Sequence, residues 1–135
     1  MINKSTRILI VDQQHARRLY VEKILNKLGC YRIAPMNSFE EFVAVTRYGK
    51  QAFDLLIINR QEAKAEELDG FCKNHPMVRN TLVYESQSLC YMPPKTQHYS
   101  SLRVDLQNLP DGESLYSMMR AIDHLQNVKR LIKAL

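Results

Sequence analysis

Two kinds of hydrophobic pattern alternate along the chain. Runs of three or four apolar residues occur within residues 7–11 (RILIV), 53–59 (FDLLIIN) and 81–84 (TLVY). Such runs are typical of strands that are covered on both faces. Between them, apolar residues recur every three or four positions, which is typical of helices with one buried face. This alternation predicts a largely parallel sheet with helices on both sides.

The predicted helices have recognisable ends. The first ends at Gly29, which can adopt the positive φ of a helix C-cap. The second begins at Ser38, whose hydroxyl can cap the helix while Glu41 reaches back to the cap amide. The third is predicted over residues 62–74, and the last covers about 111–135. These ends favour four helices and leave no long unstructured linker.

The two remaining strands are less regular. Residues 30–34 (CYRIA) are a candidate second strand, and residues 101–107 (SLRVDLQ) alternate apolar and polar positions, which predicts a half-exposed edge strand. Between the fourth and fifth strands, Pro93 and Pro94 forbid a continuous helix. We predict an α/β fold with a doubly wound five-stranded parallel sheet, flavodoxin-like, with an irregular or missing fourth helix and an extended C-terminal helix.

Composition fits one soluble domain spanning residues 1–135. The chain is 45% apolar and 24% charged, and its longest apolar runs fall far short of the roughly 18 residues that a membrane span needs. Three cysteines without a CxxC pair favour a reducing, cytoplasmic location. The net charge is +5, but the basic residues are scattered, which argues against a specific nucleic-acid site.

Candidate chemistry lies where the first and third strands end, because ligands of such folds bind at this switch point. The first strand continues as ILIVDQQHARR (residues 8–18), and the third ends in Asn59. This arrangement resembles the receiver domain of bacterial two-component response regulators. That family has two adjacent acids after the first strand, and here Asp12 is followed by Gln13. The family's phospho-acceptor aspartate corresponds to Asn59.

Other positions of the family pattern also differ. The resemblance implies a hydroxyl residue after the fourth strand, which falls at Glu85 or Ser86, and a Lys-Pro pair after the fifth, where the chain reads QNLP. An amide is a poor nucleophile, and Mg²⁺ prefers anionic oxygens. We therefore predict a degenerate pocket of Asp12, Gln13, Asn59, Glu85 and Ser86, with no enzymatic activity, no cofactor and no tightly bound metal.

Two alternatives compete with this interpretation. Asn59 can be only a capping amide of an unrelated flavodoxin-like protein. Cys72, His75, Cys90 and His98 could together supply four zinc ligands. We favour no metal, since Cys72 also fits the buried stripe of its helix. The first strand is followed by no glycine-rich loop that could admit phosphates, which argues against a flavin or nucleotide site.

Without chemistry at the pocket, we expect function to lie on surfaces. In receivers, the fourth helix, fifth strand and last helix form the surface that partners contact, which makes Tyr91, Met92, Tyr99 and Arg103 candidate contact residues. The aromatic residues could equally pack over the exposed sheet edge. On the last helix, Leu125, Val128 and Ile132 have the spacing of a coiled-coil seam, which suits a homodimer, a link to a further domain, or packing on the domain itself.

These considerations predict a non-phosphorylatable, receiver-like protein-interaction module in bacterial signal transduction or transcriptional regulation. Its partner would be a protein such as a kinase, a regulator or an effector, and not a membrane. Two alternatives stay open. The chain could be a nucleic-acid-binding regulator that uses its basic C-terminal helix, or a receiver that is phosphorylated at a non-standard acid.

Overall fold

The computed structural model describes residues 2–74, 77–85, 95–98 and 102–134. Its strands are β1 (Ile8–Val11), β2 (Ile33–Met36), β3 (Leu55–Asn59), β4 (Thr81–Tyr84), β5 (Lys95–His98) and β6 (Leu102–Leu106). Its helices are α1 (His15–Lys27), α2 (Phe39–Tyr48), α3 (Ala65–Asn74) and α4 (Gly112–Ala134), and a 3₁₀ turn covers Arg60–Glu62.

The strands form one sheet in the order β2-β1-β3-β4-β6-β5. All neighbouring pairs are parallel except β5 and β6, which are antiparallel. The predicted doubly wound, five-stranded parallel sheet is therefore confirmed, with its switch point between β1 and β3. Strand β5 was not predicted. Residues 86–94, where the fourth helix was expected to be irregular or missing, lie outside the described residues.

The expectation that residues 101–107 form a half-exposed edge strand was wrong. Strand β6 lies between β4 and β5, so the edge belongs to β5. The polar positions of β6 are also mostly covered, with the side chains of Arg103 and Asp105 only 16% and 18% exposed. Arg103 Nε donates to Asp105 Oδ1 at 3.0 Å, and Arg103 also pairs with Asp69 on α3. The alternation along β6 therefore reflects an ion-paired face, which mimics the pattern of a solvated one.

Strand β2 begins at Ile33 instead of Cys30, so the sequence prediction was three residues early. Gly29 adopts a φ of +90°, and the chain then needs Cys30 to Arg32 to reach the register in which Ile33 lies opposite Ile8. Pro35 consequently falls inside the strand, opposite Ile10. An edge strand tolerates this proline, because one side of its backbone has no neighbouring strand to bond.

The core has two layers, one on each face of the sheet. Successive side chains of a strand point to opposite faces, so β1 and β3, which are covered on both faces, have continuous apolar sequences. One layer joins the sheet to α1 and α4, and includes Ile8, Ile10, Val21, Leu25, Leu55, Ile57, Leu82, Leu115, Met118 and Ile122. The other joins it to α2 and α3, and includes Leu9, Val11, Phe42, Leu56, Ile58, Leu68 and Val83.

Helix α4 begins as the sequence predicts. Asp111 Oδ1 accepts a hydrogen bond from the Ser114 amide at 2.8 Å, and Ser114 Oγ accepts one from the Asp111 amide at 2.9 Å. Towards its other end the helix leaves the core, since Leu131 and Ile132 are 67% and 65% exposed. Within the described ranges, no helix combines the length and apolarity that crossing a membrane needs.

Candidate functional site

Strand register brings three polar residues into one row at the carboxyl edge of the sheet. Asn59 lies opposite Tyr84, and Val11 lies opposite Ile58, so the next residue, Asp12, comes beside Asn59. Each of the three lies two positions after a residue of the core layer that joins the sheet to α1 and α4. Side chains two positions apart on a strand lie on the same face, so all three point towards that layer. Three neighbouring strands thus place a carboxylate, an amide and a phenol side by side beneath α1.

The Asp12 carboxylate is fully buried and is bound on several sides. Arg17, in the first turn of α1, grips it with two hydrogen bonds, from Nε to Oδ2 at 2.7 Å and from Nη2 to Oδ1 at 2.9 Å. The Gln14 amide donates to Oδ1 at 2.9 Å, Asn59 Nδ2 donates to Oδ2 at 3.3 Å, and the Tyr84 hydroxyl also donates to Oδ2. Both carboxylate oxygens are therefore satisfied within the chain.

The ionisation of this cluster follows from the same contacts. Burial by itself raises the pKa of Asp12, but the hydrogen bonds from Arg17, Tyr84, Gln14 and Asn59 outweigh it and leave that pKa below its ordinary value. The bond to Asp12 raises the pKa of Arg17, and burial together with the Asp12 charge raises the pKa of Tyr84. Asp12 and Arg17 therefore form an ion pair of zero net charge in which the carboxylate is buried and the guanidinium is 18% exposed, with Tyr84 as a neutral donor.

Asn59 uses both ends of its amide. Oδ1 accepts a hydrogen bond from the Gln61 amide at 2.9 Å and so caps the 3₁₀ turn, while Nδ2 donates to Asp12. The capping role considered from the sequence is thus present, together with a contact to the buried acid. An aspartate could replace the acceptor but not the donor, since an ionised carboxylate only accepts. The neighbouring charge of Asp12 therefore favours an amide at the end of β3.

The remaining pocket candidates lie at the rim. Glu85 Oε1 is 3.0 Å from Arg60 Nε, whose guanidinium also pairs with Asp105 at 3.3 Å, so Glu85 belongs to an ion-paired cluster outside the Asp12 contacts. Gln13 is exposed, and its backbone amide donates to Glu62 Oε1 at 3.0 Å. Ser86 lies outside the described residues. The structure thus brings Asp12 and Asn59 into contact and leaves Gln13 and Glu85 apart from them.

Mg²⁺ is the ion that the resemblance to receivers implies, and the donor set at this edge does not suit it. The ion favours several anionic or carbonyl oxygens and retains water on its other positions. Asp12 is the carboxylate of the row, and its two oxygens already receive a guanidinium, a phenol and two amide donors. A positive side chain held at 2.7 Å also opposes a second cation.

Possible metal ligands elsewhere in the described part of the chain are scattered. There, no cluster of three or more His, Cys, Asp or Glu side chains has a geometry able to hold a metal ion. The side chains of the possible zinc set, Cys72, His75, Cys90 and His98, lie outside the described part of the structure.

The surface candidates divide into three groups. Tyr91, Met92 and Tyr99 lie outside the described residues. Arg103 lies in the ion pairs with Asp69 and Asp105. The helix candidates form a series, in which Leu125 packs on the core, Val128 is half-buried and Ile132 is exposed.

Sequence reasoning missed the two strongest partners of Asp12, which are Arg17 and Tyr84. Tyr84 carried a usable signal, because the last residue of a central parallel strand reaches the same edge as Asp12 and Asn59. Arg17 lies within DQQHARR but looks like any solvated helix residue. Its role depends on α1 starting at His15, which turns the guanidinium back over the end of β1.

Comparison with known proteins supports the fold. No family model matches the chain, and no curated protein matches its sequence. Among solved structures, the chain is similar to a protein of Burkholderia pseudomallei that is described provisionally as pilus assembly-related, with a TM-score of 0.65 and 17% identity. The match covers 93% of this chain and 94% of that chain. At this identity the likeness shows the fold alone, and that fold is receiver-like.

Proposed function

We propose that this chain is a non-phosphorylatable pseudo-receiver that acts by binding a partner protein in bacterial signal transduction or transcriptional regulation. The observation that carries the proposal is the internal neutralisation of Asp12. In this proposal, Arg17 supplies permanently the positive charge that a receiver takes from a metal ion. The carboxyl edge then serves to hold the fold together, and the module signals through its surface.

The chemistry of the row supports this proposal. Phosphoryl transfer to a side chain requires a nucleophilic oxygen, and Asn59 presents a neutral amide whose two ends are already bonded. Asp12 is ionised but fully buried under Arg17 and Tyr84, so a phosphodonor would have to displace both before reaching it. We infer that the chain has no phosphoryl-transfer activity.

Helix α4 supplies the surface that best suits a protein partner. Its apolar face continues from the buried Ile122 through the half-buried Leu125 and Val128 to the exposed Leu131 and Ile132. Exposed apolar side chains that continue a buried stripe are typical of a surface that a partner helix covers. A second copy of this chain is one such partner, which keeps the predicted homodimer within the proposal.

The absence of phosphoryl transfer can be tested directly. We expect the intact mass of the wild type to be unchanged after incubation with acetyl phosphate and Mg²⁺. A receiver from another source that is known to accept phosphate from acetyl phosphate serves as the positive control. An adduct on a rim acid, Glu62 or Glu85, would favour a receiver that uses a non-standard acid and would contradict the proposal. Glu62→Gln and Glu85→Gln would then identify the acceptor.

The binding role is tested with a surface variant. We expect affinity capture from a bacterial extract to recover a protein partner even after nuclease treatment. The double substitution Leu131→Glu and Ile132→Glu should abolish this capture. Val45→Glu with Tyr48→Glu is the matched control, because both residues are exposed apolar positions on α2. Light scattering on the same variants separates self-association from a different partner. Capture that depends on nucleic acid would contradict a protein-binding module.

A further inference from the structure

A groove of about 330 Å³ lies at the opposite, amino-terminal edge of the sheet. One wall is formed by residues that precede the strands, with Asp54 before β3 and Arg79 before β4. The other wall is the C-terminal half of α4. The volume is at the lower end of the range of small-ligand sites.

The α4 wall carries a basic stripe. Lys129, Arg130 and Lys133 follow Gln126 by three, four and seven residues, and the four side chains therefore share one face of the helix. Cations near a helix C-terminus are favoured by the helix dipole, which accounts in part for this placement. The dipole of α4 gives no reason for Arg79, which reaches the same groove from the loop before β4 and is 57% exposed.

The base of the groove is organised by Asp54. Its Oδ2 accepts a hydrogen bond from the Arg7 amide at 2.9 Å, while Oδ1 lies 3.3 Å from Gln126 Nε2 and 3.5 Å from Arg79 Nη1. Asp54 therefore links the β3 wall to α4 and holds Arg79 at the groove. Among the described lining residues, Arg79, Lys129, Arg130 and Lys133 are cations and Asp54 is the carboxylate, so the lining has a formal charge of +3.

We propose that this groove binds a small anion bearing two or more linked phosphates, such as pyrophosphate or a nucleoside di- or triphosphate. Guanidinium groups match phosphate oxygens with two parallel hydrogen bonds, and ammonium groups add charge. The hydroxyl of Ser5 and the amide of Gln126, which also line the groove, supply neutral donors. The confined volume suits a few phosphates at one place, whereas a nucleic-acid backbone requires a track of positive charge along the surface.

Calorimetric titration of the full chain tests this site, with inorganic phosphate, pyrophosphate, ADP and ATP as probes in the absence of divalent cations. We expect saturable one-to-one binding that is tighter for pyrophosphate than for phosphate and weakens as salt is raised. Equal affinities for ADP and pyrophosphate would assign recognition to the phosphates alone. Tighter binding of ADP would add a nucleoside contact.

Two matched triple variants locate the binding. Lys129→Gln with Arg130→Gln and Lys133→Gln should weaken pyrophosphate binding by at least about tenfold, because it removes three charge-assisted contacts. The control changes the same number of exposed cations elsewhere, with the substitutions Lys23→Gln, Lys27→Gln and Arg47→Gln, and should change affinity less than about twofold. Arg79→Gln removes the cation of the wall opposite α4 and should weaken pyrophosphate binding about threefold or more.

Three outcomes would overturn the proposal. One is the absence of binding by all four probes. A second is an equal loss in both triple variants, which would make net charge the cause. The third is binding of single-stranded DNA that strengthens with length and that pyrophosphate does not displace. Circular dichroism of each variant checks that an affinity loss is not a folding loss.

Discussion

The two edges of the sheet handle charge in opposite ways. At the carboxyl edge, Asp12 is fully buried and its charge is met by Arg17 at 2.7 Å, with Tyr84 and Asn59 completing its hydrogen bonds. At the amino edge, the lining of an open groove includes, in the described part of the chain, four cations and one carboxylate. The first cluster is closed and neutral, and the second is exposed and carries an excess of one sign.

This difference separates two roles for charged residues in one chain. A buried charge is stable only when its partners are supplied by the fold, so its contribution appears as folding free energy. Exposed like charges gain nothing from one another, and their contribution appears when an anion arrives. The edge at which this type of fold usually binds ligands is therefore closed here, while the opposite edge has the charge to attract one.

The largest expected effect comes from breaking the closed cluster. Arg17→Met removes the cation and leaves Asp12 buried without it, which should lower the free energy of unfolding by about 3 kcal/mol. Urea unfolding at neutral pH measures this change. Lys23→Met, at an exposed position of the same helix, should change stability by less than about 0.5 kcal/mol. Equal losses in the two variants would mean that Asp12 does not depend on Arg17.

A second variant introduces an acid at the end of β3, the position at which receivers carry one. Asn59→Asp should cost about 2 kcal/mol in the absence of divalent cations, because it places a second carboxylate beside Asp12 and removes the Nδ2 donor. Thermal melts with and without Mg²⁺ measure this cost and any recovery. Asn108→Asp, at an exposed position, is the control. A variant that gains stability without metal would show that the cluster tolerates added negative charge.

The contribution of the Asp12–Arg17 ion pair to the free energy of unfolding should also appear in its pH dependence. The pKa of Asp12 in the folded chain lies below its unfolded value of about 3.9, so its stabilisation is complete above that value. This stabilisation is lost as pH falls through the folded pKa, with a slope of up to about 1.4 kcal/mol per pH unit. Unfolding measured from about pH 5 downwards should fall more steeply in the wild type than in Asp12→Asn. Carboxyl NMR titration of Asp12 provides the same pKa directly, and parallel unfolding curves would contradict this prediction.

The smallest effect is expected at the open edge. The triple substitution of Lys129, Arg130 and Lys133 by Gln should change the free energy of unfolding by less than about 0.5 kcal/mol, because the residues are exposed and lie among like charges. Thermal melts at low and high salt measure it. A large loss of stability would show that the groove, like the Asp12 cluster, serves the fold.

Much of the fold followed from local pattern. The runs that became β1, β3 and β4, the Ser38 and Asp111 caps and the turn at Gly29 all depend on residues close together in sequence. The switch point between the first and third strands also followed, because alternating strands and helices admit few arrangements. The sequence therefore placed Asp12 and Asn59 at one edge, and their residue types indicated that the usual acid cluster was missing.

Local pattern failed where distant parts of the chain meet. Strand β5 was missed because it forms only when the chain reverses direction and pairs antiparallel with β6. The polar face of β6 was misjudged because Arg103 is covered through its ion pair with Asp69, which is distant in sequence. The predicted start of β2 was wrong because register against β1, and not composition, decides where pairing begins.

By itself, the sequence determined the four helices, the five parallel strands in their chain order, and the residue types at the ends of β1 and β3. Only the tertiary structure decided what those residues do. The bond from Tyr84 to Asp12 spans 72 positions and depends on strand register, and the grip of Arg17 depends on where α1 begins. The basic groove likewise requires α4 to lie beside Asp54 and Arg79. The physical reason is that helix and strand periods arise from neighbouring residues, whereas a charge is satisfied or left in excess by its surroundings in space.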